Sequence, residues 1–170
     1  MSNPFAFFGL TPSLNIDAKS LRKLYVDIQR GAHPDLVSSD SDAAVISEQA
    51  NAHYRTLSNP LTLVKSFLDV VGNMQWNENQ LPKDFLMEMM DLSDAIEEMN
   101  RADDASMNNV EQQLQVYFDA LTVDFKHLSS QVEPNIDSLG IWYQKSQYLS
   151  RLRKNFEGSS CYLAIFQSLF

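Results

Sequence analysis

The sequence predicts an all-α protein of two helical parts. Three observations carry that expectation. Long segments show helical rather than alternating periodicity. Only 5 Gly and 6 Pro interrupt the 170 residues. A polar stretch around residues 73–82 divides the chain into two helical runs.

In the first part a short turn precedes three helices. The first is expected over about 17–31, with Asp17 near its start. The second covers about 41–57, with Ser41 or Asp42 as its cap. Asn59-Pro60 closes that helix and opens a third over about 60–71. The boundaries that follow are 1–72 for the first domain, 73–82 for a linker and 83–170 for a three-helix bundle. Gly72-Asn73 ends an apolar run, Gln75-Trp76-Asn77-Glu78-Asn79-Gln80 is polar throughout, and Pro82 precedes the next helix. The bundle helices are expected at about 83–101, 106–130 and 134–157, with Pro134 in the first turn of the last. Gly158 interrupts that helix, and the apolar run 161–170 is expected to add a final turn or two.

Composition narrows the function classes. Hydrophobic residues make up 44% and charged residues 21%, ordinary for a globular chain. The net charge is −9. Residues 1–72 carry 6 basic and 7 acidic side chains, while residues 73–170 carry 7 and 15. Such an acidic second part argues against nucleic acid as a partner. The single Cys161 excludes an internal disulfide and is expected to be a small buried apolar residue. The N-terminal stretch MSNPFAFFGL lacks a basic leader, and no apolar run reaches membrane length, so neither targeting nor spanning is expected. The expected location is cytoplasmic. His33, His53 and His127 are far apart, with no HExxH, CxxC, phosphate loop or nucleophile elbow. No metal, cofactor or catalytic residue is expected, and His127 reads as a structural residue on a bundle helix.

Two stretches stand out. On helix 17–31, Leu21, Leu24, Tyr25 and Ile28 share one face. Lys19, Arg22, Lys23 and Arg30 share the opposite one, interrupted only by Val26. A solvated polar face is the ordinary explanation of a charge run. This one is of a single sign and leads directly to His33-Pro34-Asp35. Pro34 removes an N–H and drives His33 out of helical geometry, so the helix must end there.

The second stretch is helix 83–101. Phe85, Met89, Leu92, Ile96 and Met99 repeat at 4,3,4,3 spacing and suffice to seat the helix in a bundle. Leu86, Met87 and Met90 are apolar as well, and Asp91, Asp94 and Glu97 surround them. An acid-ringed apolar patch on an outward face points to a partner, and methionines adapt to an irregular one. The competing explanation is that a third helix covers Leu86 and Met90. Tyr148 lies about 100° from the seam formed by Leu139, Trp142, Leu149 and Phe156.

Taken together, Phe5-Ala6-Phe7-Phe8-Gly9-Leu10, the basic helix, His33-Pro34-Asp35, Asn51, Tyr54, Leu57 and Pro60-Leu61 resemble a J-domain. Phe85-Leu86-Met87-Glu88 with its acidic helix, and Leu149-Ser150-Arg151-Leu152, are similar to the HscB/Jac-type co-chaperones of iron–sulfur cluster assembly. The resemblance implies an L-shaped protein, with an N-terminal J-domain and a C-terminal three-helix bundle. It implies no enzyme activity of its own. The partners would be a DnaK-type (HscA-like) ATPase chaperone and the iron–sulfur scaffold protein IscU. His33, Pro34, Asp35, Lys19, Arg22, Lys23 and Arg30 would meet the ATPase and accelerate its ATP hydrolysis. Leu86, Met87, Met90, Asp91, Asp94 and Tyr148 would hold the scaffold. A different class, a helical adaptor with no chaperone partner, remains the alternative. The pattern departs at Leu36, where Lys is common, at His53, where a small residue is common, and at Leu63-Val64, where Arg-Ala is frequent. These departures are expected to thin the basic surface on one flank.

Overall fold

A computed structural model describes residues 3–32, 40–71 and 81–157. Those residues hold seven helices and no strand. The chain divides into two compact units, the first containing α1–α4 and the second α5–α7.

In the first unit α1 spans Pro4–Phe7, α2 Ala18–Gly31, α3 Asp40–Leu57 and α4 Pro60–Val71. Asn3 caps α1 by accepting from the N–H groups of Phe5 and Ala6. Gly9 then adopts φ +66°, a left-handed turn that suits a residue without Cβ, while the Leu10 N–H donates to the Phe5 carbonyl at 2.8 Å. Asp17 caps α2, its carboxylate accepting from the Ser20 N–H at 2.8 Å and the Ser20 hydroxyl at 2.6 Å. These bonds favour the charged carboxylate and hold its pKa below the usual 3.8. Because α3 begins at Asp40, Ser41 and Asp42 lie inside its first turn rather than at its cap. Asn59 caps α4, accepting from the N–H groups of Leu61 and Thr62, with Pro60 at the first helical position where its missing N–H costs nothing.

Helices α2 and α3 form an antiparallel hairpin. Its contact is polar as well as apolar: the Tyr25 hydroxyl donates to Asn51 Oδ1 at 2.7 Å. Gln29 Nε2 donates to the Ser47 carbonyl at 3.2 Å, and the Ser47 hydroxyl returns a bond to Gln29 Oε1 at 2.7 Å. The Tyr25 and Tyr54 rings pack at 4.6 Å. Beneath the hairpin sit Phe5, Leu57, Leu63, Val64 and Leu68, all without solvent exposure. Leu63 and Val64 therefore belong to the core. The expectation that they thin a basic surface is wrong, because a side chain at either position points into the interior.

In the second unit α5 spans Lys83–Glu98, α6 Asp104–Ser129 and α7 Ile136–Glu157. Helix α5 stops three residues earlier than its periodicity predicts: Met99 is extended at ψ 137° but keeps its side chain buried. Helix α6 starts two residues earlier than expected because Asp103 caps it, accepting from the Ala105 N–H. Helix α7 starts later than expected. Asn135 accepts from the Ser138 N–H at 2.8 Å, which leaves Pro134 before the cap rather than in the first turn.

Phe85, Met89, Leu92 and Ile96 of α5 and Leu139, Trp142, Leu149 and Phe156 of α7 are all buried, as their spacing requires. They close on Val110, Leu114, Phe118, Leu121 and Phe125 of α6. The Trp142 indole N–H donates to the Leu121 carbonyl at 2.8 Å, and its ring packs on Phe125 at 5.2 Å. At the far end of the same pair Arg153 bonds Glu111 and Glu157. Arg101, in the turn between α5 and α6, donates to the carbonyls of Phe156 and Asn155 at 2.9 and 3.1 Å. That clamp fixes the C-terminal end of α7 beside the C-terminal end of α5.

Candidate partner surfaces

The two helices singled out by sequence each carry an outward face, and each is set by its position on a buried stripe. On α2, Leu21 is buried and Leu24, Tyr25 and Ile28 are half-buried against the rest of the unit. Lys19, Arg22, Lys23 and Arg30 are exposed. No carboxylate among the described residues lies within ion-pair distance of any of them. The face is therefore a field of single sign in high dielectric, suited to steering a charged partner rather than to stabilising the fold. His33-Pro34-Asp35 and Leu36, together with Cys161 and the run after Gly158, lie outside the described residues.

On α5 the seam residues point inward and the remaining apolar residues do not. Leu86 is 37% exposed, Met87 65% and Met90 63%. Asp91, Asp94 and Glu97 are exposed with them. At 100° per residue, the order around the helix is Leu86, Met90, Asp94, Met87, Asp91, an arc of about 140°. No helix of the bundle covers Leu86 or Met90, so the competing explanation for them fails. One flank of the arc faces α6, where Tyr117 lies close to Glu88 and Asp91. Burial and then the Glu88 charge raise the Tyr117 phenol above its usual value of 10.0.

Tyr148 belongs to the other flank. It is half-buried, and its ring stands edge-on to Phe85 at 6.2 Å. Phe85 is an inner-face residue, so Tyr148 borders the exposed arc rather than lying in it. Two cations that sequence reasoning passed over sit here. Lys145 Nζ lies 5.1 Å from the Phe85 ring and the Arg151 guanidinium 5.3 Å from the Tyr148 ring. Their spacing i, i+3 and i+6 along α7 was the available signal. Also missed were Val116 and Val123 of α6, each 66% exposed.

His53 packs on Phe7 at 4.7 Å and lines a cavity of about 430 Å³ with Asn3, Pro4, Thr56 and Asp69. Burial lowers its pKa below 6.5. His127 is exposed in the last turn of α6, its Nδ1 3.4 Å from Gln131 Nε2. It is a surface residue rather than part of the packing. Among the described residues no cluster of metal-ligating side chains occurs, and no helix is long and apolar enough to cross a membrane.

An α-helical hairpin with a cationic outer face in one unit and a three-helix bundle in the other define the class among the described residues: an all-α protein of two helical units. Residues 81–157 match the family model of the HSCB C-terminal oligomerisation domain. The chain is 31% identical over 137 residues to the co-chaperone protein HscB homolog of Shewanella denitrificans, covering 76% of each chain. It is 33% identical over 109 residues to that of Shewanella loihica, spanning 60% of this chain and 63% of that protein. Among solved structures, human co-chaperone HscB superposes with TM-score 0.69 at 20% identity, covering 92% of this chain and 81% of that one. The chaperone HscB from Vibrio cholerae gives 0.65 at 21%, covering 99% and 100%. The chain belongs to the HscB co-chaperone family.

Proposed function

We propose that the chain is a non-enzymatic adaptor of iron–sulfur cluster assembly. It brings a scaffold protein of the IscU type to a DnaK-type, HscA-like chaperone and stimulates that chaperone's ATP hydrolysis. The observation that carries this reading is the pairing of two outward faces of different chemistry, one on each compact unit. The cations Lys19, Arg22, Lys23 and Arg30 suit an acidic partner surface and raise encounter rates. Helix α2 leads from that face into His33-Pro34-Asp35, which would act at the chaperone and trigger hydrolysis. The arc of Leu86, Met87, Met90, Asp91 and Asp94, bordered by Tyr148, offers flexible apolar side chains in an acidic ring to the scaffold. On this reading residues 1–72 are the J-domain, 73–82 the linker and 83–170 the scaffold-binding bundle, and the protein works in the cytoplasm.

The test is steady-state ATP turnover of an HscA-type chaperone, with and without this protein. Wild type is expected to stimulate it, and His33→Gln to abolish stimulation with helical content unchanged. Equal turnover with wild type and variant would remove the mechanism. For the second face, Leu86→Ala combined with Met90→Ala is expected to weaken scaffold binding in calorimetry while the melting temperature stays near wild type.

A further inference from the structure

Methionine differs from leucine in one chemical respect that matters on an exposed face. Its thioether sulfur gives up an electron pair to peroxides, and the product is a polar sulfoxide. The chain has 7 methionines, and Met87, Met89, Met90, Met99 and Met107 lie among the described residues. Packing sorts them. Met87 and Met90 are 65% and 63% exposed, whereas Met89 has no exposed surface and Met99 keeps 9%. Met107, on α6, is half-buried. The two open sulfurs therefore share one arc of one helix, three residues apart.

Two further observations make this pair more than two accessible atoms. The first is that the fold does not use them. Phe85, Met89, Leu92 and Ile96 complete the buried seam of α5, so an oxygen added to Met87 or Met90 enters water and disturbs no packing. The second is what surrounds them. The outward apolar side chains of α5 are Leu86, Met87 and Met90, so oxidation converts two of the three. Asp91 and Asp94 follow Met87 and Met90 at i+4 and offer carboxylates, which accept hydrogen bonds and donate none. A sulfoxide oxygen, itself only an acceptor, gains no partner from them and is left to water. A partner that packs dry against the arc must strip that water. An unpaired polar group in such a contact costs about tenfold in affinity or more.

We propose that Met87 and Met90 are a reversible oxidation site, at which hydrogen peroxide or a related peroxide switches off partner binding by α5 without unfolding the bundle. The sulfur lone pair attacks one peroxide oxygen. The S–O bond forms as the O–O bond breaks, and the departing hydroxide takes the proton of the transferred oxygen and leaves as water. Sulfur loses two electrons and the peroxide gains them. A thiol-dependent sulfoxide reductase reverses the step: two thiols supply two electrons and become a disulfide, and the oxygen leaves as water. The choice of site stands on exposure of the sulfurs alone. The effect on binding rests on reading the arc as the scaffold site.

The experiment uses the full chain with Cys161→Ser, so that no thiol competes for the oxidant. Tandem mass spectrometry during a timed exposure to hydrogen peroxide is expected to show Met87 and Met90 each gaining one oxygen about ten times faster than Met89 and Met99. The melting temperature of this oxidised protein is expected to stay near that of the untreated one. Once the peroxide is removed, calorimetry with an IscU-type scaffold is expected to show binding weakened about tenfold or more, and a sulfoxide reductase with a thiol is expected to restore it. Met87→Leu with Met90→Leu removes both sulfurs and keeps both side chains apolar. Whatever the starting affinity of that variant, peroxide is expected to leave it unchanged. Equal oxidation rates at Met87, Met89 and Met90 overturn the site. Unchanged affinity of the oxidised chain, or an equal loss in the leucine variant, overturns the switch. Failure of the scaffold reading looks different: the untreated chain then does not bind the scaffold, or loses nothing with Leu86→Ala and Met90→Ala, while the mass spectrum still decides the oxidation site.

Discussion

Helices α2 and α5 each turn one stripe inward and one outward, and the outward stripes are made of different materials. On α2 the exposed stripe is Lys19, Arg22, Lys23 and Arg30. On α5 it is Leu86, Met87 and Met90 among acids. A charged stripe costs little to leave in water, so exposure by itself says nothing about use. An apolar stripe is different. Methionine side chains are normally recovered from water by packing, and a helix whose seam is already complete had no structural need of them. The two faces also differ in reach. Charges act over about 8–10 Å at physiological salt, whereas apolar complementarity acts only at contact. The first face thus suits encounter and the second retention.

The largest expected effect separates the two sides of α5. Met89 has no exposed surface, and Met89→Ala is expected to cost ~2–5 kcal/mol in denaturant unfolding. Met87→Ala, two residues away and outward, is expected to stay within ~0.5 kcal/mol. Similar losses at the two positions would mean that the outward stripe is packed after all. Next in size is the contrast between the faces. Arg22→Glu with Lys23→Glu is expected to slow association with a DnaK-type chaperone about tenfold at low salt. The gap should close as salt rises, whereas scaffold binding to Leu86→Ala with Met90→Ala should show little salt dependence. Stopped-flow and calorimetric titrations over a salt series test both.

Within the first unit the expected effects are smaller. Tyr25→Phe removes the hydrogen bond to Asn51 and is expected to cost ~1 kcal/mol, measured by chemical denaturation. The smallest effect concerns His53. Its folded pKa is lowered because burial disfavours the imidazolium. The folded state therefore resists a proton that the unfolded chain accepts near 6.5. Stability is unaffected above that value and falls as pH drops below it. His53→Gln is expected to flatten the melting-temperature profile between about pH 7 and 5.

The helices and the identities of their inward stripes were legible because one period governs both. Phe85, Met89, Leu92 and Ile96 had to share a face whatever they packed against, and they do. Helix ends were less legible. Asp103 and Asn135 set the starts of α6 and α7 by single side-chain bonds, and many polar residues near a helix start look equally able to supply one. Pro134 was a plausible first-turn residue until Asn135 took the cap beside it.

Position 63 shows the limit of reading by resemblance. A residue type frequent at a position says nothing about which way that position points here, and Leu63 points inward. Tyr148 shows the same limit on a wheel. Its angle on α7 left its neighbours undetermined, and only the packing of α7 along α5 placed it against Phe85. What the sequence determined by itself was the local and periodic part: helices, seams, the single-sign stripe of α2 and the surplus apolar residues of α5. Tertiary structure decided which surplus residues stay in water. The arc a helix can bury depends on where its neighbours lie, and in this bundle α6 and α7 leave Leu86, Met87 and Met90 exposed.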